Sequence, residues 1–155
     1  MLDFTEIKPL VDNIEGEVAA FKMVLQNCSD NNEDFVPMCV FYTDKDTKAM
    51  VVAGASGDTF LEKFLSLSEV MHLYRPIRAS SVLIAMNTIM IHEQNEYKAL
   101  AVSALSDEHA WNIIMPYTVH GKDVTWLDDI AYINPVDRED ADETGRDLFS
   151  MLYVF

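Results

Sequence analysis

The stretch SVLIAMNTIMIH, residues 81–92, decides how this chain folds. Read as a strand, it alternates. Val82, Ile84, Met86, Thr88 and Met90 point to one side, and Leu83, Ala85, Asn87, Ile89 and Ile91 to the other. Both sides are mostly apolar, so both need cover from water, and the strand belongs inside a sheet rather than at its edge. Further strands are predicted at Tyr97–Leu105, Trp111–His120 and Val124–Trp126, separated by turn-forming residues. Residues 80–126 therefore read as a four-stranded meander.

Upstream, Phe4, Ile7, Val11, Ile14, Val18, Phe21 and Leu25 recur at steps of three and four, the stripe of an amphipathic helix. Pro9 fits only a first turn, which places the helix from about Lys8 to Cys28. Met38–Tyr42 and Ala49–Ala53 read as a hairpin around the polar loop 43–48. A small-residue turn at 53–58 leads to a second helix. Thr59 and Glu62 stand there at capping-box spacing, the apolar face runs from Phe60 to Tyr74, and Arg75-Pro76 is the stop. That turn matches neither glycine-rich phosphate-binding spacing, and Asp58 would place a negative charge against a phosphate.

Downstream of the meander come Leu127-Asp-Asp and the run Ile130–Pro135. A last helix opens in the acidic run Asp137–Arg146, with Asp137 or Asp140 as its N-cap. The chain then ends on Leu148, Phe149, Met151, Leu152, Val154 and Phe155. So apolar an end must dock on its own sheet or on another chain. An acidic tail ending in Phe is also similar to those of some single-stranded-DNA-binding proteins, where it contacts partner proteins. Here an apolar stretch separates Asp147 from Phe155, and a basic binding face is missing.

The element order is α-β-β-α-β-β-β-β-α. It predicts one α+β domain over residues 1–155, in three layers, with a five- or six-stranded, mainly antiparallel sheet flanked by helices. This order resembles that of the roadblock/profilin-like group, in which helices flank an antiparallel sheet, and less closely that of the cytidine-deaminase core. The resemblance is one of topology and assigns no residue a role; the deaminase signature H-x-E with P-C-x-x-C is absent.

Composition limits the function. The chain carries 11 basic and 26 acidic residues, a net charge of −15. Residues 1–34 hold 8 acids against 2 bases, and residues 128–155 again 8 against 2, so the two terminal segments account for −12. No basic cluster exists to meet phosphates or anionic lipid, which argues against direct nucleic-acid or membrane binding. Without an apolar run of about 18 residues or a signal-like start, the expected location is cytoplasmic. Cys28 and Cys39 are too few for a disulfide framework and read as free thiols.

No stretch carries a reaction-specific motif, and no catalytic, cofactor-binding or metal-binding residue is assigned. One arrangement has metal-site chemistry within reach. In an antiparallel meander the first and third turns share an end of the sheet, which gathers His92, Glu93 and Glu96 with His120 and Asp123 about 10 Å apart in backbone. Two histidines and a carboxylate would suit a metal; the ordinary reading is that turns are wet. His109, with Asp107 and Glu108, lies at the other end, and His72 in a helix's last turn, where the dipole favours a cation. Ser80-Ser81 after Arg78 lacks a base partner, Cys39 sits in an apolar strand, and Asp128-Asp129 would alternate sides if extended. Trp111, Ile113, Met115, Tyr117 and Val119 share one strand parity. Such a row, like the nine methionines, is either core or a binding face.

The expected function is a non-enzymatic protein-interaction module that self-associates as a dimer, without cofactor, and with room for another protein partner. Two alternatives remain: a small metal-dependent enzyme using His92, His120 and Asp123, or an acidic nucleic-acid mimic that occupies a basic protein.

Overall fold

We describe, from a computed structural model, residues 2–43, 48–52, 62, 80–106 and 109–136. They form one antiparallel sheet and one long helix, α1 (Ile14–Asp30). The strands are β1 (Met38–Tyr42), β2 (Lys48–Val52), β3 (Ser81–His92), β4 (Asn95–Leu105), β5 (Ala110–His120), β6 (Asp123–Trp126) and β7 (Tyr132–Val136). Their spatial order is β2-β1-β3-β4-β5-β6, with β7 also paired to β5. The class is thus α+β with an antiparallel sheet. The expected second and last helices lie outside the described residues, except that Glu62 is helical.

The meander forms as read: β3 keeps its expected bounds, and β4, β5 and β6 start one or two residues earlier and end where expected. Its first half justifies the reading of β3. Over Val82–Ala85 the strand is flanked by β1 and β4, and Val82 to Met86 are buried on both faces. Two-residue turns close the hairpins. Gly121 takes a positive φ between His120 and Asp123, a conformation glycine adopts without strain. Glu93 and Gln94 both take positive φ between His92 and Asn95, where side chains cost about 1 kcal/mol or more each.

Seven strands fill six positions, because β6 and β7 succeed each other along the same edge of β5. Trp126 is opposite Tyr117 and Tyr132 opposite Ile114, so five residues on the edge oppose two on β5. The detour falls at Pro116. Leu127 N–H donates to the Pro116 carbonyl at 2.9 Å, so the absent N–H of Pro116 faces the same edge. A strand cannot stay paired where its neighbour lacks a donor, and the chain leaves in a 3-10 turn, Asp128–Ile130. The expected order had no strand beyond Trp126; β7 is an addition.

Helix α1 covers one face of the sheet. Ile7, Val11, Ile14, Val18, Phe21 and Leu25 all enter the core, against Val40, Leu83, Leu100, Val102, Ile113 and Met115. Each large side chain buried there contributes about 1.5–3 kcal/mol. The helix itself begins at Ile14, not near Lys8. Residues 5–10 make turns in which Leu10 N–H donates to Ile7, and the polar pair Asp12-Asn13 interrupts before the first helical bond, Glu17 to Asn13. The stripe spans that break because periodic burial constrains which side faces inward, not continuity of the backbone. At the other end α1 is fastened to the β5–β6 turn. Gln26 Nε2 donates to the Lys122 carbonyl at 2.9 Å and its Oε1 accepts from Val124 N–H at 3.0 Å. Lys122 Nζ donates to the Asp30 carbonyl at 3.1 Å, a cation at the negative end of the helix.

Candidate interaction surface

The expectation that β3 is sheltered on both faces along its whole length fails beyond Asn87 on the face toward α1, while Met90 on the opposite face stays buried. On the α1 side, Ile89 is 61% and Ile91 73% exposed. On the outer side, β1 pairs only as far as Ala85, and no described strand pairs the seven residues Met86–His92 there. The cause is length. Residues 33–37, which join α1 to β1, are not in the ladder, and Pro37 has no N–H with which to extend it. Helix α1 ends at Asp30, near Asn87, Lys98 and Tyr117, while β3 runs on.

A cleft of about 240 Å³ lies at that boundary, bordered by Cys28, Glu33, Asp34, Asn87, Lys98 and Tyr117. Tyr117 Oη donates to Asn87 Oδ1 at 2.8 Å across β4, and its ring packs on Trp126 with centroids 5.3 Å apart. Burial raises the Tyr117 phenol, against the lowering effect of the Asn87 bond. Burial also raises the Cys28 thiol, and Glu33 and Asp34 raise it further, so the cleft is electrically negative on this side. Ile89 stands opposite Lys98, and Ile91 opposite Glu96. The exposed isoleucines thus begin where the cleft ends. Carboxylates stand at both ends of the pair: Glu33 and Asp34 toward the helix, Glu93 and Glu96 toward the hairpin tip, all exposed.

The residues singled out for chemistry take other positions. His92, His120 and Asp123 share the face away from α1, by strand parity and register. Among the described residues, however, no group of three His, Cys, Asp or Glu is placed to hold a metal ion. His92 Nε2 stands 3.9 Å from Glu93 Oε1. Ser81 Oγ donates to the Leu10 carbonyl at 2.8 Å and Ser80 Oγ to the Tyr42 carbonyl at 3.0 Å, so both hydroxyls fasten the fold. Cys39 is buried, which raises its thiol strongly. His109 is exposed and Asp128-Asp129 lie in the 3-10 turn; His72, Arg78, Asp107 and Glu108 fall outside the described residues. Of the β5 row, Ile113, Met115 and Tyr117 are core beneath α1 and Trp111 packs against it, while Val119 is 38% exposed.

A second concavity, about 450 Å³, lies between the N-terminal segment and α1, over Leu2, Phe4, Val18 and Ala19. Its charges are matched among themselves. Lys22 stands 3.9 Å from Asp128 and over the Trp126 ring, and Glu15 pairs with Lys8 at 3.3 Å. Among the described residues no helix is long and apolar enough to cross a membrane. Comparison with protein-family models, curated proteins and solved structures finds no match.

Proposed function

We propose that this protein is a non-enzymatic interaction module that makes its contact through the distal half of β3. The observation that carries the reading is the adjacent exposed pair Ile89 and Ile91, on a stretch that no described strand pairs on its outer side. Strand edges present N–H and C=O groups to any chain that can pair with them, and soluble proteins usually blunt such edges. Large apolar side chains beside an open edge add the area that makes pairing worthwhile. The edge suits a second copy or a different chain.

Burial of Cys39, Phe41, Val82, Ile84 and Met86 on the face away from α1 supports the three-layer arrangement. The free thiols Cys28 and Cys39 support a reducing, cytoplasmic setting.

A photo-crosslinking amino acid at position 91 tests the contact, with the same group at Met23, an exposed position on α1, as control. We expect a discrete crosslinked product from position 91, lost when Ile89→Thr is added, and none from position 23. Equal yields from both positions, or no product from either, would overturn the proposal.

A further inference from the structure

We propose that the occupant of the β3 edge is an extended segment of another protein with apolar residues at its centre and basic residues at both ends. This rests on the interaction-module reading and adds the partner's chemistry. The surface has an apolar middle, Ile89 and Ile91, flanked on β4 by Lys98 beside Ile89 and Glu96 beside Ile91, with Glu33 and Asp34 beyond one end and Glu93 beyond the other, so its carboxylates outnumber its one lysine. Among the described residues no cation pairs with Glu33, Asp34 or Glu96. The last turn of α1 supplies no basic side chain either; Lys122 is engaged on the Asp30 carbonyl, and Lys98 stands opposite Ile89 as a single cation among these carboxylates. Interfaces match an apolar centre with an apolar centre and a charged rim with the opposite charge.

A second copy meets that requirement less well. Pairing Met86–His92 with itself about a two-fold axis would set Ile89 opposite Ile89, which suits the centre. It would also bring together two acidic rims on molecules of charge −15 each, and like charges across an interface oppose association. A lysine- or arginine-flanked strand gains from the same carboxylates. Strand addition supplies the backbone pairing, and the two isoleucines, on one face of β3, select apolar residues at alternate positions of the incoming strand.

The probe is a fluorescein-labelled peptide of about nine residues, alternating isoleucine and threonine with two lysines at each end, long enough to span Met86–His92, which no described strand pairs on its outer side. Anisotropy titrations would compare it with the glutamate-ended version and with one N-methylated at alternate residues of its centre. We expect the lysine peptide to bind and the other two to fail. Ile89→Thr/Ile91→Thr should weaken binding about tenfold, since two exposed apolar side chains are lost from the contact. Neutralising the rim with Glu33→Gln, Asp34→Asn, Glu93→Gln and Glu96→Gln should weaken it comparably and flatten its salt dependence. Binding that survives N-methylation and Ile→Thr but not rim neutralisation would be charge adsorption, and would overturn the proposal. So would a dimer in sedimentation that tightens with salt and is abolished by Ile89→Thr, although the interaction-module reading would then stand. A monomer at millimolar concentration that binds none of the peptides would overturn both.

Discussion

Tyr42 links one hydroxyl to the pH range of the fold. Its Oη is buried and has no hydrogen-bond partner. Burial first, and then the negative charge of the nearly buried Glu17, raise the phenol far above its usual value. A raised phenol means that the folded state keeps its proton after the unfolded chain has lost it. The corresponding stability is complete below about pH 10, the unfolded value, and is lost as pH rises above it. Urea midpoints should therefore fall above pH 10, with Tyr42→Phe falling less steeply there. Tyr117 and the thiols of Cys39 and Cys28 are shifted in the same direction and contribute to the slope that remains, the thiols from about pH 9. Parallel curves for wild type and Tyr42→Phe would show that this phenol is not responsible. None of this is visible in the sequence, where Tyr42 is only the last residue of an apolar run. Its consequence arises from burial of the hydroxyl beside Glu17, and that depends on how α1 is rotated over the sheet.

At the scale of elements, Gln26 acts almost as a strand partner. By donating to the Lys122 carbonyl and accepting from Val124 N–H, its amide satisfies a carbonyl and an N–H of the β5–β6 turn and β6. Gln26→Ala should cost about 1–2 kcal/mol in chemical denaturation, for two partly exposed hydrogen bonds. It should also speed amide exchange at Val124 while α1 keeps its helicity by circular dichroism. Unchanged exchange at Val124 would mean that β6 does not depend on the helix. The sequence shows the elements well where burial is periodic, as in the stripe from Ile7 to Leu25 and the alternation from Val82 to Met86. It is poor where a single backbone atom decides. The break before Ile14 turns on Asp12-Asn13, and β7 owes its separate register to Pro116, whose missing donor matters only because of which side of β5 it faces. The candidate surface was half legible. Ile89 and Ile91 read as apolar from the start, but their exposure follows from α1 stopping at Asp30, and no local pattern encodes the reach of one element over another.

For the whole molecule, charge is the dominant feature. A net of −15 on 155 residues opposes folding through self-repulsion, which salt screens. The melting temperature should rise between about 20 mM and 300 mM sodium chloride, over which the Debye length shortens several-fold. An unchanged or lower melting temperature would mean that the carboxylates are already offset within the fold. Most of the C-terminal acids, from Asp137 onward, lie outside the described residues, so the salt response also bears on the acidic-mimic reading.

The step that β6 and β7 make around Pro116 has a consequence for how far such molecules can join. Growth of a continuous ribbon requires every unit to offer a straight margin on each flank, so that each arrival recreates the landing place for the next. Here the β6–β7 flank is out of phase with itself by three residues and interrupted by a 3-10 turn. An incoming chain can keep step with β6 or with β7 but not with both. Recruitment along that flank therefore ends before it can propagate.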